Sequence, residues 1–154
     1  MIKILFVCLG NICRSPMAEY VMRRMVEEEG LAARFTIDSA ATSTYEVGNP
    51  IYPPAYRKLR QHGIDASPHR SRQIRREDYG KYDMIIGMDA SNMRNMRQAF
   101  GGDPEGKLSL LLDHCGRGGD VADPWYTGDF DATWRDVNEG CRAILDALKE
   151  QHNW

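Results

Sequence analysis

The sequence predicts an α/β fold, with helices on both faces of a mostly parallel sheet. Short apolar segments alternate along the chain with segments of helical periodicity, which is the pattern of repeated βαβ units. The first of these, residues 3–8, is apolar at nearly every position, as expected of a strand covered on both faces. With 154 residues and neither an internal repeat nor a linker, the chain is expected to form one domain over residues 1–154.

Four short runs of β-forming residues are the predicted strands. They are residues 3–8, 35–40, 82–88 and 107–112. Because helical segments separate the strands, we expect them to run parallel and to share one sheet.

The bounds of the first two helices come from residues that favour helix ends. Ser15 is a capping residue type and Pro16 suits the first helical position, so the first helix is expected to start there and to end at Gly30. The second helix is expected over residues 53–63, between a proline pair and a glycine.

Two further helices follow the third and fourth strands. One covers roughly residues 91–100. In the other, apolar residues recur at helical spacing, which indicates a face packed in the core. These residues are Phe130, Trp134, Val137, Cys141, Ile144, Leu145 and Leu148.

Three unusual loops follow the first, second and fourth strands. They are residues 10–15, 41–53 and 113–129. Because the carboxyl ends of parallel strands meet at one edge of the sheet, these loops are expected to surround a ligand site. The last is long and without predicted secondary structure, which is typical of a functional lid.

Composition excludes several classes of protein. The net charge of −2 gives no reason to expect bulk binding to nucleic acid or to an anionic membrane. No apolar run is long enough to span a membrane, and the N-terminal apolar stretch ends at Leu9, too early for a secretion signal. The four cysteines therefore suggest reduced thiols in the cytoplasm. Since no C-x-x-C pair exists and the histidines are scattered, we expect no metal site.

The loop after the first strand carries the strongest chemical signal. It reads C-L-G-N-I-C-R-S from Cys8, and it leaves a buried strand to enter a helix. Gly10 and Asn11 tolerate positive φ, so the backbone can curl with its amides facing inward. Inward amides, the helix dipole and the planar fork of Arg14 together form a phosphate site. The Cys-x5-Arg spacing by itself is weak evidence, and its position between a buried strand and a helix makes that evidence stronger.

The same positive field favours the thiolate form of Cys8, to which Ser15 can donate a hydrogen bond. A thiolate at the base of a phosphate site is positioned to attack phosphorus and form a thiophosphate. The alternative from the residues alone is a structural cysteine at a strand end, with Ser15 acting only as a helix cap.

A general acid for the leaving oxygen is expected in the long loop. Asp123 begins the segment D-P-W-Y, and Asp120 is the rival carboxylate. Trp125, Tyr126 and, from the second loop, Tyr45 would form aromatic walls around a flat substrate. The alternative is a turn with packed aromatic residues.

Four motifs together resemble the low-molecular-weight protein tyrosine phosphatases. They are C-L-G-N-I-C-R-S-P-M-A-E from residue 8, D-S-A-A-T from 38, M-D-A-S-N from 88 and D-P-W-Y from 123. Their order and spacing match the family over essentially the whole chain. The resemblance implies a three-layer fold with a four-stranded parallel sheet in the strand order 2-1-3-4.

The resemblance also implies roles for individual residues. Cys8 would be the nucleophile, Arg14 the phosphate and transition-state binder, and Asp123 the general acid. The phosphate-binding loop would comprise Leu9, Gly10, Asn11, Ile12, Cys13, Arg14 and Ser15. A hydrogen-bond network of Asn11, Ser15, Ser39 and His69 would support it. The substrate pocket would be formed by Ile12, Tyr45, Trp125 and Tyr126.

The implied activity is hydrolysis of phosphotyrosine in proteins, with inorganic phosphate as product and no cofactor or metal. Trp125 stands where many members carry tyrosine, which leaves Tyr126 as the candidate site for regulatory phosphorylation. Cys13 is expected to trap oxidised Cys8 as a disulfide, whereas Cys115 and Cys141 are expected to be inert. The protein is expected to act as a monomer.

Three alternatives remain open. Thiol-relay arsenate reductases share the fold and loop, but they need further cysteines, and here Cys115 is the only distal loop cysteine. Protein-arginine phosphatases carry threonine at the position of Ile12, whose apolar side chain favours an aryl phosphate. A phosphate-binding module needs neither Cys8 nor Asp123. A basic cluster at Arg70, Arg72, Arg75 and Arg76 is either a solvated face or a docking patch for acidic phosphoprotein segments. For Arg72, which lies near His69, a structural role is the further alternative.

Overall fold

The computed structural model describes all residues from Met1 to Trp154, and four parallel strands form its centre. The strands are β1 (Ile2–Cys8), β2 (Phe35–Ala41), β3 (Met84–Gly87) and β4 (Leu108–Leu110). The sheet order is β2-β1-β3-β4, and every neighbouring pair is parallel. The predicted α/β class and the strand order 2-1-3-4 are confirmed.

Six α-helices surround the sheet. They are α1 (Arg14–Glu28), α2 (Pro53–Gln61), α3 (Asp78–Lys81), α4 (Ala90–Phe100), α5 (Pro124–Thr127) and α6 (Phe130–His152). Short 3₁₀ segments occupy Ala32–Arg34 and Leu111–Asp113. None of the helices is both long and apolar enough to cross a membrane.

The alternation of side chains along β1 divides the core into two parts. Ile4, Phe6 and Cys8 face the larger apolar cluster, which lies under α1, α2 and α6. Leu5 and Val7 face the smaller cluster on the other side of the sheet, against α4. The central strand is therefore covered on both faces, as its unbroken apolar sequence predicted.

The structure corrects several predicted bounds. Strand β3 is shorter than residues 82–88 because α3 extends to Lys81 and the Tyr82 amide caps it by donating to the Asp78 carbonyl over 3.1 Å, so the ladder begins only at Met84. Strand β4 stops at Leu110, where a 3₁₀ turn begins, instead of continuing over residues 107–112. The loop of residues 113–129, predicted without secondary structure, contains α5, because Asp123 caps a turn that Pro124 starts.

The start of α1 also differs from the sequence prediction. The helix begins at Arg14, its N-cap is Cys13, and no side chain caps it. Ser15 is therefore not the cap that its residue type suggested. Its hydroxyl is directed instead towards Cys8 and Asn11. The predicted end is confirmed, since Gly30 has a φ of 70° just beyond Glu28.

Gly140 is the point where α6 approaches the segment after β4 most closely. A Cβ atom added there would overlap the side chain of Leu111, which is fully buried. The long helix therefore needs a residue without a side chain at this position to pack on the sheet.

We expect Gly140→Ala to lower the free energy of unfolding by about 1–3 kcal/mol, because the added methyl overpacks the core. Helix propensity alone would raise the free energy of unfolding of this variant by about 1 kcal/mol. A decrease would therefore identify overpacking as the cause. Gly80→Ala in α3 is the matched control, since nothing lies within 4 Å of its added Cβ. Urea unfolding measures both, and equal stability of Gly140→Ala and wild type would contradict the packing argument.

Candidate active site

The loop between β1 and α1 wraps around the sulfur of Cys8. This residue ends β1 and is 3% exposed. The Asn11 amide donates to Sγ over 3.3 Å, and Ser15 Oγ lies 3.0 Å from Sγ. Because Ser15 Oγ already accepts a hydrogen bond from Asn11 Nδ2 at 2.8 Å, its own hydrogen is free to point at the sulfur. Two donors then converge on the sulfur, an arrangement that stabilises a thiolate.

The same loop carries main-chain amides that have no acceptor within the protein. Asn11 takes a left-handed conformation with a φ of 57°, whereas Gly10, the other residue suited to positive φ, does not. Free amides at the N-terminus of a fifteen-residue helix form a binding site for an anion. The amides without a protein acceptor are those of Leu9, Gly10, Ile12, Cys13, Arg14 and Ser15.

Asn11 forms hydrogen bonds with four other residues through its side chain and its carbonyl group. Its Nδ2 donates to Ser15 Oγ and Ser39 Oγ over 2.8 and 2.9 Å. Its Oδ1 accepts from the Arg72 amide over 3.2 Å, and its carbonyl accepts from His69 Nε2 over 2.7 Å. The four residues that the resemblance assigned to a supporting network are therefore in contact, with Asn11 at the centre.

Glu19 extends this network and was missed by the sequence argument. Ser39 Oγ donates to Glu19 Oε1 over 2.6 Å, and His69 Nδ1 lies 4.0 Å from the same oxygen. Burial raises the pKa of this carboxyl. A signal was available, because Glu19 lies one helical turn after Ser15 and so shares its face of α1.

Arg14 is almost completely buried and is tied to three groups. Its Nη1 donates to Asp89 Oδ2 and to the Val121 carbonyl over 2.8 and 2.9 Å, and its Nη2 lies 3.4 Å from Asp123 Oδ2. Burial alone would lower the pKa of Arg14, but the surrounding negative groups, Cys8 first, raise it above its usual value. The guanidinium is therefore a fixed positive charge in the wall of the site.

Asp89 was also missed, although the motif that contains it was recognised. Its Oδ1 accepts from the Asn92 amide over 2.7 Å, while Asn92 Oδ1 accepts from the Asp89 amide over 3.2 Å. This reciprocal cap at the start of α4 leaves the second carboxylate oxygen for Arg14. The spacing of aspartate and asparagine in D-A-S-N was the available signal.

A cavity of about 200 Å³ opens above Cys8 and gathers the predicted residues. Asn11 and Ser15 lie in the fully buried support. The cavity is lined by Cys8, Leu9, Gly10, Ile12, Cys13, Arg14, Tyr45, Glu46, Asp123, Trp125 and Tyr126.

The structure separates the two candidate acids. Asp123 lines the cavity, and its Oδ1 accepts from the Trp125 amide over 3.1 Å. Asp120 is exposed, does not line the cavity, and accepts instead from the Ala90 amide over 3.0 Å. Asp123 is therefore the carboxyl group placed to reach a substrate.

Three exposed aromatic residues stand at the mouth. Tyr45, Trp125 and Tyr126 are 79%, 51% and 78% exposed. The Trp125 ring packs against that of Tyr52, with 4.7 Å between the ring centroids. The Tyr52 amide donates to the Ile12 carbonyl over 2.9 Å. Tyr52 thus links one aromatic wall to the floor of the cavity.

The other cysteines differ in their environment. Cys13 is buried beside Cys8 in the cavity wall, and burial, then the charge of Cys8, raises its pKa. Cys115 lies outside the cavity and points its thiol at the Leu112 carbonyl, 3.4 Å away. Cys141 is fully buried, which raises its pKa.

Known proteins match the chain along nearly its whole length. The profile of the family described as "Low molecular weight phosphotyrosine protein phosphatase" matches residues 3–153. YfkJ of Bacillus subtilis, named a low molecular weight protein-tyrosine-phosphatase, is 37% identical over 98% of both chains. The low molecular weight phosphotyrosine protein phosphatase of Rattus norvegicus is 42% identical over 94% of both.

Two solved structures extend the comparison. The crystal structure of YfkJ has a TM-score of 0.94 and covers 98% of this chain and 96% of that one. The crystal structure of DARP, a Drosophila arginine phosphatase, has a TM-score of 0.87 at 32% identity and covers 96% and 98%. With sequence, fold and the loop around Cys8 in agreement, this chain belongs to the low-molecular-weight phosphotyrosine protein phosphatase family.

Proposed function

We propose that this chain hydrolyses phosphotyrosine in phosphoproteins, and aryl phosphates in general, through a cysteinyl-phosphate intermediate. One observation carries the proposal: a sulfur with two hydrogen-bond donors lies at the floor of a cavity whose loop amides are free. Binding alone would need no nucleophile there, nor the carboxyl group of Asp123.

In the first step, the Cys8 thiolate attacks phosphorus in line with the leaving phenolate. The new S–P bond forms as the P–O bond to the ring breaks, and Asp123 gives its proton to the departing oxygen. Arg14 and the loop amides stabilise the three equatorial oxygens.

In the second step, ionised Asp123 removes a proton from water, which attacks the phosphorus of the intermediate. The S–P bond breaks, the thiolate is restored and inorganic phosphate leaves. Because Arg14 and the amides supply the positive field, we propose that the reaction proceeds without a metal ion.

The lining of the cavity favours an aryl group over a guanidinium. Ile12 is 8% exposed and offers an apolar surface, with Tyr45 and Trp125 at the mouth. The likeness to DARP makes phosphoarginine the second candidate substrate, since the same fold serves an arginine phosphatase. The thiol-relay alternative is less well supported, because neither Cys115 nor Cys141 lines the cavity.

We further infer that the protein acts as a monomer in the cytoplasm. In support of a reducing compartment, all four cysteines are free thiols.

The direct test is turnover in the presence of EDTA. We expect wild type to hydrolyse p-nitrophenyl phosphate and a phosphotyrosine peptide faster than the matched phosphoserine and phosphoarginine peptides. Cys8→Ser should abolish turnover, since a serine hydroxyl in the same place is a far weaker nucleophile. Activity that survives Cys8→Ser would rule out the covalent mechanism, and a preference for phosphoarginine would identify the second candidate substrate.

The role of Asp123 predicts a loss confined to the chemical step. Asp123→Ala should lower kcat for p-nitrophenyl phosphate by about 10²- to 10⁴-fold, the usual contribution of a general acid. Inhibition by inorganic phosphate should change little, because Arg14 and the amides remain. Asp120→Ala is the matched control and should behave as wild type, whereas equal losses in the two variants would contradict the assignment.

We also propose that Cys13 protects oxidised Cys8. Peroxide converts the Cys8 thiolate to a sulfenic acid, and the Cys13 thiol then forms a disulfide as water leaves. Oxidation also removes the Cys8 charge that raises the pKa of Cys13. This step needs only peroxide as the oxidant.

Cys13→Ser should therefore recover less activity than wild type when dithiothreitol is added after peroxide. Cys115→Ser is the control and should recover fully, because its thiol lies outside the cavity. Full recovery of Cys13→Ser would show that the second thiol gives no protection.

A further inference from the structure

Helix α2 carries only positive charge. Its nine residues include Arg57, Lys58 and Arg60 and no acidic residue. Lys58 forms an ion pair with Asp131 at the start of α6, which ties the two helices together. Arg57 and Arg60 are exposed, and neither side chain makes a hydrogen bond or an ion pair. The helix thus presents two free guanidinium groups to solvent.

Helix α2 begins next to the mouth of the active-site cavity. The Tyr52 amide is bonded to the Ile12 carbonyl of the phosphate-binding loop, and α2 begins at the next residue, Pro53. Arg57 lies about one helical turn further along. A second cleft, of about 220 Å³, lies there between α2 and residues 128–131.

Aromatic rings connect this cleft with the catalytic cavity. Trp125 lines the cavity, its ring is 4.7 Å from that of Tyr52, and Tyr52 is 6.2 Å from Phe130. Phe130 lines the second cleft together with Arg57. Taken together, these two ring-to-ring distances span about 11 Å, the length of about three residues of an extended peptide.

The acidic groups in the cleft already have partners. Asp129 caps α6 by accepting from the Ala132 amide over 2.9 Å, and Asp131 is paired with Lys58. Arg57 is the cation in this cleft that has no partner. Because Asp129 keeps its negative charge, the attraction for an incoming carboxylate depends on the free guanidinium of Arg57, the group best suited to hold it.

The arginine cluster suggested by the sequence is less suited to docking. Arg72 holds Asp78 through two hydrogen bonds of 3.0 and 3.3 Å, and Arg70 donates to carbonyls of its own loop. Arg76 is exposed but lies beside Gly101, at the end of α4 on the other face of the sheet.

We propose that the cleft beside Arg57 binds an acidic side chain of the phosphoprotein substrate, about three residues from the phosphotyrosine. The proposal rests on the proposed function and adds a preference among substrates to it. The aromatic mouth holds the phosphotyrosine ring, and α2 selects acidic sequence next to it.

The test compares two phosphotyrosine peptides that differ only in charge. One carries glutamate at the second to fourth positions on both sides of the phosphotyrosine, and the other carries glutamine there. We expect wild type to show a kcat/KM about fivefold higher for the acidic peptide, as a few exposed ion pairs allow. Added salt should reduce this ratio, because exposed charges are screened.

Arg57→Glu should bring the ratio to one or below. Arg76→Glu makes the same change of charge away from the mouth and should keep the wild-type ratio. A wild-type ratio of one, or a ratio that Arg57→Glu leaves unchanged, would overturn the proposal. Turnover of p-nitrophenyl phosphate by wild type tests the proposed function separately, because this substrate has no flanking residues.

Discussion

The hydrogen bonds around Asn11 are the constraint on which the site depends. Asparagine adopts the left-handed region more readily than most residues with a side chain, but the single conformation seen here still depends on the groups around it. Here Ser15, Ser39, Arg72 and His69 hold it through its side chain and carbonyl. The conformation lets the Asn11 amide turn back to the Cys8 sulfur while the other loop amides stay free. The hydrogen-bond network and the shape of the loop therefore form one structural unit.

The parallel sheet gathers the remaining groups from distant parts of the chain. Strand β1 ends at Cys8 and strand β3 ends just before Asp89, so the proposed nucleophile and the partner of Arg14 lie at one edge of the sheet. The Val121 amide donates to the Met88 carbonyl over 2.8 Å, which fastens the long loop to that edge. Arg14 then bonds Asp89 and the Val121 carbonyl and lies 3.4 Å from Asp123. One buried guanidinium thus joins the helix after β1, the helix after β3 and the loop that carries Asp123.

The sequence predicted the class of fold, the strand order through the resemblance, and every residue that lines the cavity except Glu46. The fold class and the loop after β1 depend on local signals, such as apolar runs, glycine at helix ends and a cysteine between a strand and a helix, whereas the strand order and the full set of site residues came from the resemblance. Residues whose role depends on a tertiary contact were missed. In the sequence, Glu19 is indistinguishable from an ordinary carboxylate on a helix, and only the fold brings Ser39 into contact with it. Asp89 is recognisable as a helix cap, but the hydrogen bond from Arg14 to its second oxygen depends on the fold. For Ser15 the local signal was misleading, because its residue type predicted a helix cap whereas its hydroxyl contacts the Cys8 sulfur.

The rim of the cavity and the network beneath it differ sharply in their exposure to solvent. Tyr45, Trp125 and Tyr126 are largely exposed, whereas Asn11 and Ser15 beneath them are fully enclosed. Surface replacements usually change stability by less than about 0.5 kcal/mol, whereas losses in a buried polar network are far larger. Evolution, or a designer, can therefore diversify the rim while the same enclosed floor is retained.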